Sequence, residues 1–381
     1  MRQDKKTMPV ATAEAGKAQT SASPSRHYRY RLEFQPGDDV ARFPGDRVDP
    51  AYLSVPREQA IFRGQRAGLL GDNPAEASVL EQPVFTAEAT GEIAGLQFLV
   101  GEGESTLRVL FDVQAAFGAA AQAQLARFQK QEAAWAKCEK VLFRVYAEAD
   151  DNGRARAGCT DTPHVRRKPL PVQDGVLGEW LAVGQPVGPV SDRHYPLFIY
   201  EETLEKAQAY LGKAGSQKLE GAALLLGHLY RQREPVPELF GVVDAAIEIR
   251  HADQKAFSFT PTAAGYADLG AQMALRRTRL GRTHEVPLIL AHNHWFYPAV
   301  QDDGDAHCPS CEKRRTCEMT SSFYSRHDVN LHLSWFGSQP YVAGMVIGLT
   351  PRDEQDLRVF AMHGCLPEER GFYKIAERAT R

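Results

Sequence analysis

The chain has 381 residues, 43% of them hydrophobic and 24% charged, the balance of a folded globular protein long enough for two domains. A formal net charge of −3 argues against a nucleic-acid binder held mainly by phosphate contacts. No apolar run reaches the roughly 18–20 residues needed to cross a bilayer, so no membrane partner is expected.

Residues 1–25 have a basic start but no apolar core after it. They read as a disordered tail, not a signal peptide, and a cytoplasmic location is the expectation. The six cysteines are then expected as thiols or metal ligands, not as a disulfide framework. Ordered structure is expected from about residue 26. Tyr28, Tyr30, Leu32 and Phe34 alternate with basic partners, a strand signal. Apolar runs follow in "IAGLQFLV" and "TLRVLFDV". The segment "AAAQAQLARFQKQEAAWAKCEK" reads as a helix with Leu125, Phe128, Ala133 and Trp135 loosely on one face. "VLFRVYAEA" returns to strand. Residues 26–150 thus read as a small α+β unit without a chemical motif.

Residues 151–176 are polar, basic and Pro-containing, and read as a linker. Arg166, Arg167 and Lys168 within it suit a solvated loop or contact with an acidic partner.

From residue 177 onward, strands and helices interleave. "YPLFIY" reads as a strand and "EETLEKAQAYLGK" as a helix with Leu204, Ala207 and Leu211 on one face and Gly212 placed to stop it. Glu220 introduces the apolar strand "GAALLLGHLY". "FGVVDAAIEI" is a half-buried strand, and "FSFTPTAAGYADLGAQMALRRTRLG" gives a short strand and a helix capped by Thr262. The strand "VPLILAHNH" ends in His292 and His294. A Cys-bearing insertion, the helix "SRHDVNLHLSWF" and the strands "YVAGMVIGL" and "LRVFAMH" complete the chain.

Side chains two apart on a strand point the same way, so His292 and His294 project from one face. Neutral imidazole is the commonest metal ligand, and a catalytic zinc needs a third protein ligand and an open position. Asp328 offers one, at the start of a helix. Ser325 and Asp328 also form a Ser-x-x-Asp pair that suits a helix N-cap. His332, one turn beyond, is a competing third ligand, whereas His327 should point elsewhere. A hydrolytic site also needs a general base that does not ligate the metal, and Glu220 at the strand mouth is the candidate.

Cys308-x-x-Cys311 has the spacing of half a structural zinc site, with Cys317 as a third ligand and His307 or the distant Cys159 to complete it. Unbound thiols and a redox Cys-x-x-Cys pair are the alternatives. Cys138 and Cys365 read as small buried hydrophobes, and His363-Gly364-Cys365 is set aside as a nucleophile–base pair.

The ordered set Glu220 before a Gly- and Leu-rich strand, His292-x-His294 and Ser325-x-x-Asp328 resembles the JAB/MPN metalloprotease family, also called JAMM. The resemblance covers about residues 195–381. Trp295 stands where the family usually has Pro, and the gap from His294 to Ser325 is longer than usual, filled by the insertion at 301–320. The resemblance implies a mixed α/β chain. Its part at 177–381 would be a JAB/MPN (cytidine-deaminase-like) sheet flanked by helices. It implies catalytic Zn²⁺ on His292, His294 and Asp328, Glu220 as proton carrier and Ser325 as hydrogen-bond donor to the developing oxyanion. It implies an isopeptidase or peptidase cutting after the C-terminus of a ubiquitin-like protein, with that protein and its conjugates as partners. The extra N-terminal unit is similar to that of JAB peptidases of bacterial ubiquitin-like conjugation operons, some of them antiphage. That unit would bind the modifier or its target. A non-catalytic MPN scaffold, or a JAB-type hydrolase of small-molecule or carrier-linked amides, are the other readings.

Overall fold

The computed structural model describes residues 27–376 apart from 38–40, 76–77, 89–90, 103–104, 132–134, 136–139, 151–168, 256–257, 296–319 and 351–353. The expected tail and most of the expected linker therefore lie outside the described residues. So do His307, Cys308, Cys311 and Cys317 of the proposed structural zinc site.

The alternation at the start of the chain forms β1 (Tyr28–Pro36), which lies between β2 (Phe43–Arg47) and β6 (Val141–Ala149). Tyr30, Leu32 and Phe34 are its buried face. A second sheet joins β3 (Val79–Phe85), β4 (Ile93–Glu102) and β5 (Ser105–Asp112) in antiparallel order. Between them pack α1 (Ser54–Arg66) and α2 (Val113–Gln131), around a core rich in Phe98, Phe111 and Phe117. Helix α2 begins directly after β5, several residues before the Ala-rich run that advertises it. Asp112 makes this possible by accepting the Ala115 N–H at 2.7 Å, which satisfies a donor of the first turn.

The rest of the chain builds a mixed sheet of ten strands among the described residues. Next to its middle strand β10 (Ala222–Gln232) lies β14 (Val286–Asn293), antiparallel to β10 on one side and parallel to β15 (Ala343–Leu349) on the other. Strand β11 (Glu238–Glu248) continues the sheet beyond β10, and β16 (Gln355–His363) and β17 (Leu366–Arg370) continue it beyond β15. Strands β9 (Leu197–Tyr200), β18 (Phe372–Ile375) and β8 (Gln185–Val187) close the far edge. The short strand β7 (Val172–Asp174), at the end of the expected linker, pairs in parallel with β10 and so belongs to the sheet. Next to it in the chain is the short helix α3 (Leu177–Leu181).

Three longer helices flank the sheet. Helix α4 (Glu201–Ser216) buries Leu204, Ala207, Leu211 and Ala214. Gly212 does not stop it: the residue is exposed on the outer face, and the helix ends at Ser216, before Lys218 turns into the left-handed region at φ 57. Helix α5 (Ala263–Arg279) is capped by Thr262 as its sequence suggests, the side chain accepting the Gly265 N–H. Helix α6 (Arg326–Phe336) precedes β15. A separate hairpin, β12 (Ala252–Lys255) with β13 (Ser258–Pro261), stands beside the start of β10. Among the described residues no helix is long and apolar enough to cross a membrane.

The two units share a buried seam. Phe62 of α1 sits edge-on to Tyr195 with ring centres 5.6 Å apart and also meets Tyr341, so it belongs to the core of the larger sheet. Gln59 brackets Gly364, accepting its N–H at 2.6 Å and donating to its C=O at 3.0 Å. Gly364 has φ +59, and a Cβ there would meet the Ala115 backbone, so only glycine allows this approach. Arg66 forks onto Glu238 at 2.6 and 2.7 Å. Phe62→Ala is expected to lower the unfolding free energy of the whole chain by about 3–5 kcal/mol in chemical denaturation, the range for emptying a buried aromatic site. Independent units would leave the larger unit's transition unchanged.

Candidate metal centre

Strand β14 is flanked by strands on both sides and is apolar on both faces, which is why its sequence runs Leu-Ile-Leu-Ala before the polar end. Its ladder carries past the last strand residue: the His294 N–H bonds the Ile347 carbonyl at 2.9 Å. His292 and His294 therefore stay in register and share a face, with ring centres 5.0 Å apart, both buried. Helix α6 delivers the third group. Ser325 caps it, and a capping box closes: the Ser325 Oγ accepts the Asp328 N–H, and Asp328 Oδ2 accepts the Ser325 N–H at 2.6 Å. Asp328 is 6% exposed, and its Oδ1 lies 3.3 Å from His292 Nε2 while Oδ2 lies 3.8 Å from His294 Nε2.

These three groups can hold a metal ion, with donor atoms all within 4.8 Å of one another. Ligand atoms about 2.0–2.2 Å from a tetrahedral ion stand about 3.3–3.6 Å from each other, close to the distances here. His292 Nε2 is buried and faces the Asp328 carboxylate without a hydrogen bond of good geometry, so a cation, whether a proton or a metal ion, is favoured between them. His294 donates Nδ1–H to the Ser321 carbonyl at 2.6 Å, which leaves the Nε2 lone pair facing Asp328.

The charges agree. Burial, with the His292 ring beside it, lowers His294 to about 4, so it is a neutral donor at pH 7. Burial also opposes charge on His292, but Asp328 outweighs it and raises that imidazole above its ordinary value. Burial alone would raise Asp328; His292 and the Ser325 bond prevail and hold it well below the usual carboxylate range. Two neutral-capable imidazoles and one anion are a suitable donor set for a divalent ion that takes the place of a proton.

Glu220 reaches the site from the mouth of β10. It is 3% exposed, its N–H bonds the Lys255 carbonyl, and Oε1 lies 3.7 Å from His294 Nε2. Burial, helped by the nearby Asp328 charge, pushes its carboxyl up to about 7, while His292 pulls the other way. A carboxyl poised near neutrality can take up and release a proton. Glu220, His292, Asp328, Phe259, His327 and Leu331 line a cavity of about 10 Å³, room for one water-sized group. A larger cavity of about 310 Å³, near Lys206 and Arg276, includes none of these residues.

His332 is buried but committed elsewhere: Tyr324 Oη lies 3.0 Å from its Nδ1, and it bonds the Val342 backbone. Asp328, not His332, joins the two histidines. His327 points to the rim, 3.4 Å from the Phe259 carbonyl. Cys365 is half-buried and its thiol donates to the Gln114 carbonyl, consistent with a packing role.

Sequence pattern missed three contributors. Ser321 orients His294; Tyr324 packs against His292 and engages His332; Asn293, the residue between the histidines, binds the backbone on either side of Glu220. It also missed a second group, His228, Asp244 and Glu285. There Arg282 lies 2.5 Å from Asp244 and Arg276 forks onto Glu285, so both carboxylates already face cations.

No family model matches the chain, and no curated protein matches it. Among solved structures it is similar to the solution structure of a protein from Desulfitobacterium hafniense, at 16% identity over 48% of this chain and 94% of that one, with a TM-score of 0.31.

Metal analysis after zinc loading should find one equivalent fewer in His292→Ala and in Asp328→Ala than in the wild type, and no change in His332→Gln. Burial lowers His332 to about 4, below the ordinary 6.5. Its neutral form therefore stabilises the fold fully above pH 6.5, and that contribution fades as pH falls toward 4. The stability gap between metal-free wild type and metal-free His332→Gln should shrink over that window, by on the order of 3 kcal/mol, in denaturant titrations at successive pH values.

Proposed function

We propose that this chain is a zinc-dependent peptidase of the JAB/MPN (JAMM) type that cuts the peptide or isopeptide bond after the C-terminus of a ubiquitin-like protein. The observation that carries the reading is the meeting of His292, His294 and Asp328 with a second, non-ligating carboxyl, Glu220, held near neutrality. A structural metal site needs no such carboxyl, whereas hydrolysis does. The central strands β10, β14 and β15, with α4 before Glu220 and α5 before the histidines, are read as the JAB/MPN core.

Zinc bound here would polarise the scissile carbonyl and lower the pKa of a bound water to about 7. Glu220 would take a proton from the attacking water and hand it to the leaving amine. Its burial suits both halves of that task, since a carboxyl near neutrality is neither too weak a base nor too weak an acid. Ser325, whose Oγ accepts from Asp328, still has its own O–H to donate to the oxygen that becomes negative. Asp328 balances charge and stiffens the helix end on which Ser325 sits.

The resemblance in the motif directs the substrate choice to ubiquitin-like tails, and incubation with ubiquitin-like fusions followed by mass spectrometry of the cut site tests it. Cleavage should stop with a chelator and return with zinc. Glu220→Gln should keep the zinc content and lose at least about 100-fold in kcat, the usual contribution of a general acid–base group. Undiminished turnover by Glu220→Gln would remove this residue from the chemistry.

A further inference from the structure

Asn293 sits between the two histidines, so strand alternation turns its side chain to the face opposite theirs. On that face it is 5% exposed and makes two bonds, both to the backbone that carries Glu220. Its Oδ1 accepts the Gly221 N–H at 2.7 Å, and its Nδ2 donates to the Leu219 carbonyl at 3.2 Å. The two backbone groups bracket Glu220. The amide packs closely against the end of α4: a Cβ on Gly215 would stand 3.3 Å from Asn293 Nδ2, so its neighbour would have to give way.

The need for such a clip follows from the ladder. The β10–β14 pairing has Ala222 opposite His292 as its last partners, and α4 ends only at Ser216. Leu219 to Gly221 thus lie between a helix that has stopped and a strand that has not begun. Glu220 itself is tied by its N–H to Lys255 of the neighbouring hairpin. Asn293 ties the backbone of this stretch to the strand that bears the two imidazoles by two side-chain hydrogen bonds.

We propose that Asn293 is a positioning residue for Glu220: the amide locks the backbone on both sides of the carboxyl to the metal-binding strand, so base and metal keep one spacing. The proposal rests on the peptidase reading for its catalytic consequence, but its structural content does not. Loss of the clip should leave the imidazoles on β14, because the ladder from Leu290 to Asn293 holds them from β15. It should let the Glu220 segment wander. A displacement of about 1 Å at a catalytic group can cost on the order of 100-fold in rate.

The test uses the full chain with zinc bound, and the variants Asn293→Ala and Asn293→Ser; the serine hydroxyl reaches at most one of the two backbone groups and guards against a variant that fails to fold. Three readouts are taken: zinc content, amide hydrogen exchange across residues 217–224, and cleavage kinetics. The expected result is unchanged zinc, Gly221 exchange faster by about 10-fold or more, and a fall in kcat of at least about 10-fold with KM unchanged. The double variant Asn293→Ala/Glu220→Gln should be no slower than Glu220→Gln alone, because a residue that acts through Glu220 has nothing left to position. Additive losses in the double variant, loss of zinc in both single variants, or unchanged exchange at Gly221 would each overturn the proposal. If the wild type cleaves no fusion at all, the peptidase reading fails by itself, and exchange with zinc content still decides whether the clip exists.

Discussion

A buried carboxylate is the constraint around which the site is arranged. Asp328 is 6% exposed, and an isolated anion at that depth would cost several kcal/mol. Its two oxygens divide the compensation. Oδ2 takes the Ser325 N–H at the head of α6, where the helix dipole also favours a negative group, and Oδ1 faces His292. The helix start and the strand end are thereby bound to the same atom pair. A shift of either element would weaken one of these contacts, and a fixed arrangement of ligands is what a metal centre requires.

Outward from that carboxylate, each layer fixes the next. Ser321 sets the tautomer of His294, and Tyr324 and the Val342 backbone occupy His332 so that it stays out of the cluster. The sheet then sets the distance between β14 and the mouth of β10, which brings Glu220 within 3.7 Å of His294. The α1 seam reaches the segment next to Val342: Phe62 packs on Tyr341. The N-terminal unit is therefore part of the support of the larger sheet and not a tethered accessory.

Much of this was legible in sequence because it is local and periodic. His292 and His294 declare a shared face through strand alternation, and Ser325 and Asp328 declare a helix start through their spacing. The choice between Asp328 and His332 was not legible, since residues one turn apart share a helix face; it depends on Tyr324 and Val342, which reach His332 through the fold. Asn293 was hidden as the spacer in a His-x-His motif, although its partners lie more than seventy positions away. Helix α1 escaped notice because Pro56 and Gly64 interrupt its pattern. Pro56 stands in the first turn, where no N–H is needed, and Gly64 lies against Val100 and Leu70 where a Cβ would collide. Strands β7 and β18 are too short to show a period and are made by their partners.

The most direct measurement is anomalous diffraction at the zinc edge from crystals of the zinc-loaded chain. A peak is expected between His292 Nε2, His294 Nε2 and an Asp328 oxygen, about 2.0–2.2 Å from each, with Glu220 outside the coordination sphere. An absence of zinc there, with His292 and Asp328 closed onto each other in a hydrogen bond while zinc sits only among the cysteines, would contradict this metal site.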